Sequence, residues 1–270
     1  MSNRDFTAIA DRYRETSLVQ NTAADILISL LDPQPGERIL DVGCGPGHIT
    51  KRLHDITGAP ITGIDPSDGM IRECETSFTG AKFRFRKVSA AEMDFENQFD
   101  IIFCNSTFQW FRDVDTELSN FHRALKPGGR VGMQAPATHL YCPNFILAVR
   151  DVETDPRTER AFARFTNPWF FRDSAREYSE CFERNGFKVM FSELQRLESG
   201  HLPDEAFKVF TSGAMVGYLN KEYYAGGYDD SYAEAFLDIV RESLARQAGE
   251  DGKVVLVFNR IFIVAQKSEE

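Results

Sequence analysis

Residues 38–50 read RILDVGCGPGHIT. Ile39, Leu40 and Val42 make a short apolar run of the kind found in a buried parallel strand. His48 through Thr57 has the spacing of a helix, and Gly58 stands where a helix stop is expected. Between them lie Asp41 and the glycines at 43, 45 and 47. A glycine-rich turn between a strand and a helix opens at the carboxyl end of the strand, where open α/β sheets receive their ligands.

Two kinds of ligand compete for that turn. A dinucleotide fingerprint spaces its glycines as G-x-G-x-x-G, with a pyrophosphate on the helix N-terminus. Here the third position of that pattern falls on His48. Asp41 adds a carboxylate at the mouth of the turn, which repels a pyrophosphate and attracts an amino group. The pattern therefore favours a nucleoside carrying an amino-acid tail.

Outward from the turn, strand and helix signals alternate. PITGID ends in Asp65, and Ser67 caps a helix containing Met70, Ile71 and Cys74. KFRFRKVS alternates with period two, FDIIFCNS is an apolar strand, and Asp113 or Asp115 caps the helix through Leu118, Phe121 and Leu125. KPGGR reads as a turn and RVGMQAP as the next strand. This order predicts an α/β fold with a doubly wound, parallel, Rossmann-like sheet. From Pro136 to Pro168 no clear strand is read. Ser174 and Glu177 then form a capping box for a helix that Gly186 ends, FKVMFSELQ is a strand, and an aromatic-rich helical stretch follows. KVVLVFNRIFIVAQK closes the chain as a long strand. The expectation is a single domain over 1–270, with lid insertions at roughly 137–171 and 199–249.

Composition narrows the function classes. With 42% hydrophobic residues among 270, the chain can bury a large core. A formal net charge of -10 argues against broad attraction to nucleic acid. No apolar run has the length of a membrane span and the N-terminal segment lacks a signal-peptide core, so a cytoplasmic protein is expected. The five cysteines form no C-x-x-C pair and the five histidines have no ligand-like spacing, so no metal is expected.

These stretches together resemble the class I S-adenosylmethionine-dependent methyltransferases. LDVGCGPG is similar to the first motif of that family, GIDPSDGMI to the second, FDIIFCNSTFQW to the fourth-strand motif and FHRALKPGGRVGMQAP to the helix, turn and fifth strand. CFERNGFKVMFSEL resembles the helix and sixth strand. The resemblance implies seven strands with the last antiparallel, and S-adenosylmethionine as cofactor. Among subfamilies the likeness is to the trans-aconitate and malonyl-acyl-carrier-protein carboxyl O-methyltransferases, through NSTFQW, VGMQAP and the helical insertion before the last strand.

The resemblance also implies roles. Asp41 attracts the amino group of the methionine tail, and Gly43, Cys44, Gly45 and Gly47 form the turn beneath the ligand. Asp65 accepts both ribose hydroxyls, with Pro66 and Met70 beside the adenine. Ser89 and Ala90 stand where the family places a polar residue, often Asp, and a small one; the serine is a departure. Asn105 ends the fourth strand facing the tail, and Gln20 and Tyr13 in the leading segment are further contacts. Phe108 and Trp110 are positioning candidates near the sulfonium, with packing as their alternative role.

For the acceptor, a small molecule is expected. A carboxylic acid, O-methylated to its ester, is favoured because a carboxylate is already ionised at neutral pH. Arg150 and Arg172 are the candidate cations, and Trp110, Tyr141, Trp169 and Tyr218 are candidate walls. The alternatives are N- or C-methylation of another metabolite, or cofactor binding without catalysis.

Overall fold

The computed structural model describes residues 23–269. Tyr13 and Gln20 lie outside the described residues. The chain divides into two compact units. The first comprises the chain up to Ala135, Arg172–Leu194 and the chain from Ile261; the second comprises Pro136–Phe171 and Gln195–Arg260.

The first unit carries α1 (Ala23–Leu31), β1 (Ile39–Val42), α2 (His48–Thr57), β2 (Ile61–Asp65), α3 (Asp68–Ser77), β3 (Phe83–Lys87), β4 (Phe99–Asn105), a 3-10 turn (Phe108–Trp110), α4 (Val114–Ala124) and α7 (Ala175–Arg184). β5 (Leu125–Pro136), β6 (Phe187–His201) and β7 (Val254–Lys267) complete a seven-stranded sheet of order β3-β2-β1-β4-β5-β7-β6. The sheet is mixed, with β7 antiparallel. β1 lies between β2 and β4, pairing Asp41 with Gly63 on one side and Phe103 on the other. All four of its residues are buried, which is why it reads as an unbroken apolar run except for one acid.

Local signals set the helix ends. Gly58 closes α2 in the left-handed region at φ 64, a conformation that costs glycine nothing. The hydroxyl of Ser67 accepts from the Met70 amide at 3.4 Å, and Asp113, not Asp115, caps α4 by accepting from the Thr116 amide. At the start of α7, Ser174 accepts from the Glu177 amide at 3.2 Å, while the Glu177 carboxylate accepts from the Asp173 amide and the Ser174 hydroxyl. The Arg130 guanidinium, buried in β5, pairs with both oxygens of Glu37 at 2.7 and 2.8 Å and donates to the carbonyls of Leu31 and Asp32. It thereby satisfies the orphan carbonyls at the end of α1.

KPGGR is not a turn between elements. Phe99 pairs with Leu125 but Ile101 pairs with Arg130, so these residues form a bulge inside β5. Gly129 is needed there, because a Cβ would stand 2.9 Å from the Lys126 carbonyl.

The second unit holds α5 (Pro143–Thr154), α6 (Glu159–Phe162), α8 (Pro203–Ser212), α9 (Met215–Tyr218), a 3-10 turn (Lys221–Tyr223) and α10 (Asp230–Arg246). α10 packs along α5 and α8. Its core is aromatic: Phe145, Phe210, Tyr218, Tyr224, Tyr232 and Phe236 are all buried. The Tyr224 hydroxyl donates to the Tyr218 carbonyl at 2.6 Å and shares a 2.8 Å hydrogen bond with the Tyr232 hydroxyl, so these two buried phenols are partnered. α5 was not expected from sequence. Its buried residues Phe145, Ala148, Val149 and Val152 recur with helical spacing behind a proline at the first helical position.

Candidate active site

The turn after β1 is built by its glycines in two different ways. Gly43, Gly45 and Gly47 take φ of 71, 53 and 84. A Cβ at Gly43 would fall inside the Thr107 side chain, and one at Gly47 would stand 2.8 Å from the Phe78 ring. These two glycines make room for protein atoms. At Gly45 a Cβ would meet nothing within 4 Å, so its backbone borders open space. Among the three, only Gly45 has open space where a Cβ would stand, as judged from the described residues.

The turn's amides are already committed. Those of Gly43 and Cys44 donate to the Ile64 carbonyl, Gly47 to the Cys44 carbonyl, and Gly45 to Asp65 Oδ2 at 3.1 Å. None of these four is left for a ligand phosphate, which argues with Asp41 against a pyrophosphate. Asp65 Oδ1 accepts from the Ser67 amide at 2.8 Å. An ionised carboxylate has about four lone-pair sites, so two on Asp65 stay available for hydroxyl donors.

Asp41 is only 3% exposed, and its Oδ2 accepts from the Thr50 hydroxyl at 2.6 Å. Burial pushes its carboxyl up to about 7; the Thr50 hydrogen bond opposes this and the Asp65 charge adds to it. A cation beside it would restore its ionised form. The Asn105 Oδ1, at the end of β4, is a buried acceptor with no hydrogen-bond partner among the described residues. Next to it Ser106 takes φ 55. Its amide donates to the Gln134 carbonyl at 2.8 Å and its hydroxyl to Gln134 Oε1 at 3.1 Å.

The remaining cofactor candidates divide. Pro66 is exposed and Met70 is 41% exposed, so Met70 is not a core residue of α3. Ser89 spends its hydroxyl on Glu92 at 2.6 Å, and the Ala90 carbonyl accepts from the Asn120 side chain at 2.9 Å. The Cys44 side chain is turned into a cluster with Ile71, Cys74 and Phe85, and burial raises its thiol far above the ordinary range. The Cys44 side chain therefore packs inside the protein, and only its backbone belongs to the turn's surface.

Phe108 takes the packing role, the second of the two read from sequence. Its ring is fully buried, stacked on Phe182 of α7 at 5.7 Å and close to Phe111 and Tyr178. It holds α7 against the sheet instead of facing a ligand. Trp110 is half-buried.

In the second unit, Arg150, Trp169 and Tyr218 line one cavity of about 320 Å³. Phe162, Phe165 and Glu153 line it too and were not singled out from sequence. Glu153 was within reach, since it lies one helical turn beyond Arg150. Trp169 meets Tyr218 edge-on at 4.8 Å, and Phe165 lies 5.5 Å from Tyr218. Tyr141 backs this wall, with its ring 6.0 Å from Trp169. Its hydroxyl is buried beside that of Tyr218, and burial first, then Tyr218, raise its pKa well above the usual tyrosine range. Arg172 is not among the residues lining the cavity; it is exposed, and its amide donates to the Tyr178 hydroxyl at 3.2 Å.

A family model described as a methyltransferase domain matches residues 39–129. The chain is 35% identical over 127 residues to a malonyl-[acyl-carrier protein] O-methyltransferase of Acetivibrio thermocellus, covering 46% of this chain and 45% of that one. It thus spans about half the length of that relative. It is 27% identical to the trans-aconitate 2-methyltransferase of Deinococcus radiodurans, over 96% of this chain and 98% of that one. Among solved structures, the YcgJ protein of Bacillus subtilis superposes with a TM-score of 0.59 at 17% identity, covering 92% of this chain and 98% of that one. That last likeness shows the fold.

The residues present fit S-adenosylmethionine. Asp41 and the Asn105 Oδ1 are acceptors suited to an ammonium group, Asp65 retains sites for ribose hydroxyls, and Gly45 leaves the turn open. β1 and its turn lie inside the residues that the methyltransferase-domain model matches, and the sheet has seven strands in the order β3-β2-β1-β4-β5-β7-β6, so the first unit is similar to a methyltransferase domain.

Proposed function

We propose that this methyltransferase esterifies a small carboxylic acid. The observation that carries the reading is Arg150, a guanidinium on an aromatic-lined cavity that forms no ion pair with any described residue. An unpaired arginine there is suited to a carboxylate, which it can hold through two parallel hydrogen bonds. The relatives' names point the same way, one to a malonyl group and the other to trans-aconitate. We assign acceptor recognition to Arg150, Trp169 and Tyr218, and leave Arg172 outside it.

S-adenosylmethionine, held by Asp41, Asn105 and Asp65, would supply an electrophilic methyl group to a carboxylate oxygen, its sulfur keeping the electron pair of the broken carbon–sulfur bond. The charges cancel and no proton moves, so the chain's own task is to hold the two reactants and exclude water. Asp41 and Asn105 hold the tail, and Asp65 holds the ribose. Among the described residues no helix is long and apolar enough to cross a membrane. The five buried, unbridged cysteines support a reducing compartment such as the cytoplasm.

The test is transfer of a labelled methyl group to a panel of small acids and amines, followed by mild alkali. A methyl ester releases its label as methanol, whereas an N-methyl or C-methyl product keeps it. Alkali-labile label on at least one acid is expected. Label that survives alkali, on amines only, would replace this reading with nitrogen methylation.

A further inference from the structure

Building on the carboxyl-methylation reading, we propose that the acceptor is a monocarboxylic acid with a flat apolar body of about one ring. It is seated in the cavity of the second unit with its carboxylate on Arg150, and Glu153 excludes di- and tricarboxylic acids.

Size comes first. The cavity encloses about 320 Å³. A cavity of about 150 Å³ suffices to hold benzene, so this one has room for a ring and a short arm. One wall is made of flat rings, and Arg150, Glu153 and Asn167 supply polar groups. Phe162 and Phe165 stack with centroids 5.3 Å apart, Phe165 lies 6.5 Å from Trp169, and Trp169 meets Tyr218 at 73°. Such rings favour offset or edge-on contact with another ring.

The walls are also fixed in place. The Trp169 ring occupies the space where Gly217 lacks a Cβ, so any side chain at 217 would displace it. The carbonyl of Tyr218 is held by the Tyr224 hydroxyl, and the amide of Trp169 donates to Asn167 Oδ1 at 2.8 Å. A preformed apolar slot selects by shape and loses little entropy on binding.

Charge then decides how many carboxylates are admitted. Arg150 and Glu153 are neighbours on α5, three residues apart, a spacing at which opposite charges commonly pair. Here neither forms an ion pair with any described residue, and both line the cavity. Arg150 is thus free for one carboxylate. A second carboxylate on the same small molecule would meet Glu153 as a like charge at the exposed rim of the cavity. An amine would find Glu153 and the ring faces attractive but would meet Arg150 as a like charge.

The experiment is calorimetric titration of the full chain, preloaded with S-adenosylhomocysteine, with 3-phenylpropanoate, tricarballylate and phenethylamine. The phenylpropanoate should bind at least about tenfold more tightly than the other two, a difference of about 1.4 kcal/mol. Arg150→Gln and Trp169→Ala should each weaken it by about tenfold or more, as expected for loss of a charged hydrogen-bond donor or an aromatic wall. Glu153→Gln should strengthen tricarballylate by about tenfold, and phenylpropanoate, with its single charge, by less. Circular dichroism checks the fold of each variant. Tighter binding of tricarballylate to the unaltered chain, no binding of phenylpropanoate, or indifference to both Arg150→Gln and Trp169→Ala overturns the proposal. The methyl assay separates the two levels. Alkali-labile label on tricarballylate in place of phenylpropanoate overturns only the monoacid proposal. Tighter binding of phenethylamine with alkali-stable label overturns carboxyl methylation as well.

Discussion

The two units make their sites from different material. In the first, the chemistry is set by backbone: a strand end, a turn with three positive φ values, and carboxylates held by amides and a hydroxyl. In the second, the cavity is set by side chains, four aromatic rings with an arginine and a glutamate on one helix. A backbone-built site depends on a few consecutive residues and leaves a motif. A side-chain-built site draws on α5, α6, α9 and the loop carrying Phe165, Asn167 and Trp169, and leaves only a composition. That contrast explains why the cofactor is legible in this chain and the acceptor is a proposal.

Two glycines allow the contrast to be tested on equal terms. Gly43 and Gly217 both stand where a side chain from elsewhere occupies the space of a Cβ: Thr107 for the first, Trp169 for the second. Gly43 also sits at φ 71, so Gly43→Val combines overpacking with backbone strain. We expect it to lower stability by about 3 kcal/mol or more in urea titrations and to abolish cofactor binding. By contrast, Gly45→Ala meets no atoms and should cost about 1 kcal/mol of stability while weakening the cofactor strongly. Equal loss of stability in the two variants would mean that the turn's glycines are not divided as described.

Gly217→Ala is the counterpart in the second unit. No φ penalty applies, and the strain falls on Trp169, so a stability loss of about 1–3 kcal/mol is expected. The acceptor's Michaelis constant should rise while the dissociation constant of S-adenosylmethionine stays unchanged. A change in cofactor affinity instead would break the separation of roles.

What the sequence made legible follows the same division. Asp41, Gly45 and Asp65 could be placed because strand, turn and helix are local, and their spacing carries the geometry. The reasons for Gly43 and Gly47 could not, since they lie in Thr107 and Phe78, residues outside the turn. Phe108 looked like a site residue because it follows β4, but its partner Phe182 is far along the chain and takes it into the core. Burial of such a ring contributes about 1.5–3 kcal/mol, enough to outweigh a ligand-facing position. The helix α5 was obscured by prolines at 136 and 143, although Pro143 begins it. The bulge at KPGGR has the composition of a turn, and only its pairing with β4 shows otherwise.

A smaller effect concerns protons. Asp41 is held at about 7 in the folded chain against an ordinary value of 3.8, mainly by burial. Between those values the folded state binds more protons than the unfolded one, so this group's contribution to stability is full below the lower value. It is lost as pH rises through the upper one. Asp41→Asn should flatten that part of the pH profile. The cofactor's amino group should favour the ionised carboxylate, so cofactor binding at pH 6 should release protons. Calorimetry in two buffers of different ionisation enthalpy measures this; identical heats in the two buffers would show that Asp41 is not beside the tail.

The most direct test of the backbone-built site is titration of S-adenosylmethionine and NAD into the unaltered chain and into Gly45→Val. S-adenosylmethionine should bind the unaltered chain at least about tenfold more tightly than NAD, a gap of about 1.4 kcal/mol. Gly45→Val should keep its circular dichroism spectrum and give no binding heat, because its side chain would fill the open space above the turn. Tighter binding of NAD, or a Gly45→Val chain that binds S-adenosylmethionine as the unaltered one does, would contradict the account.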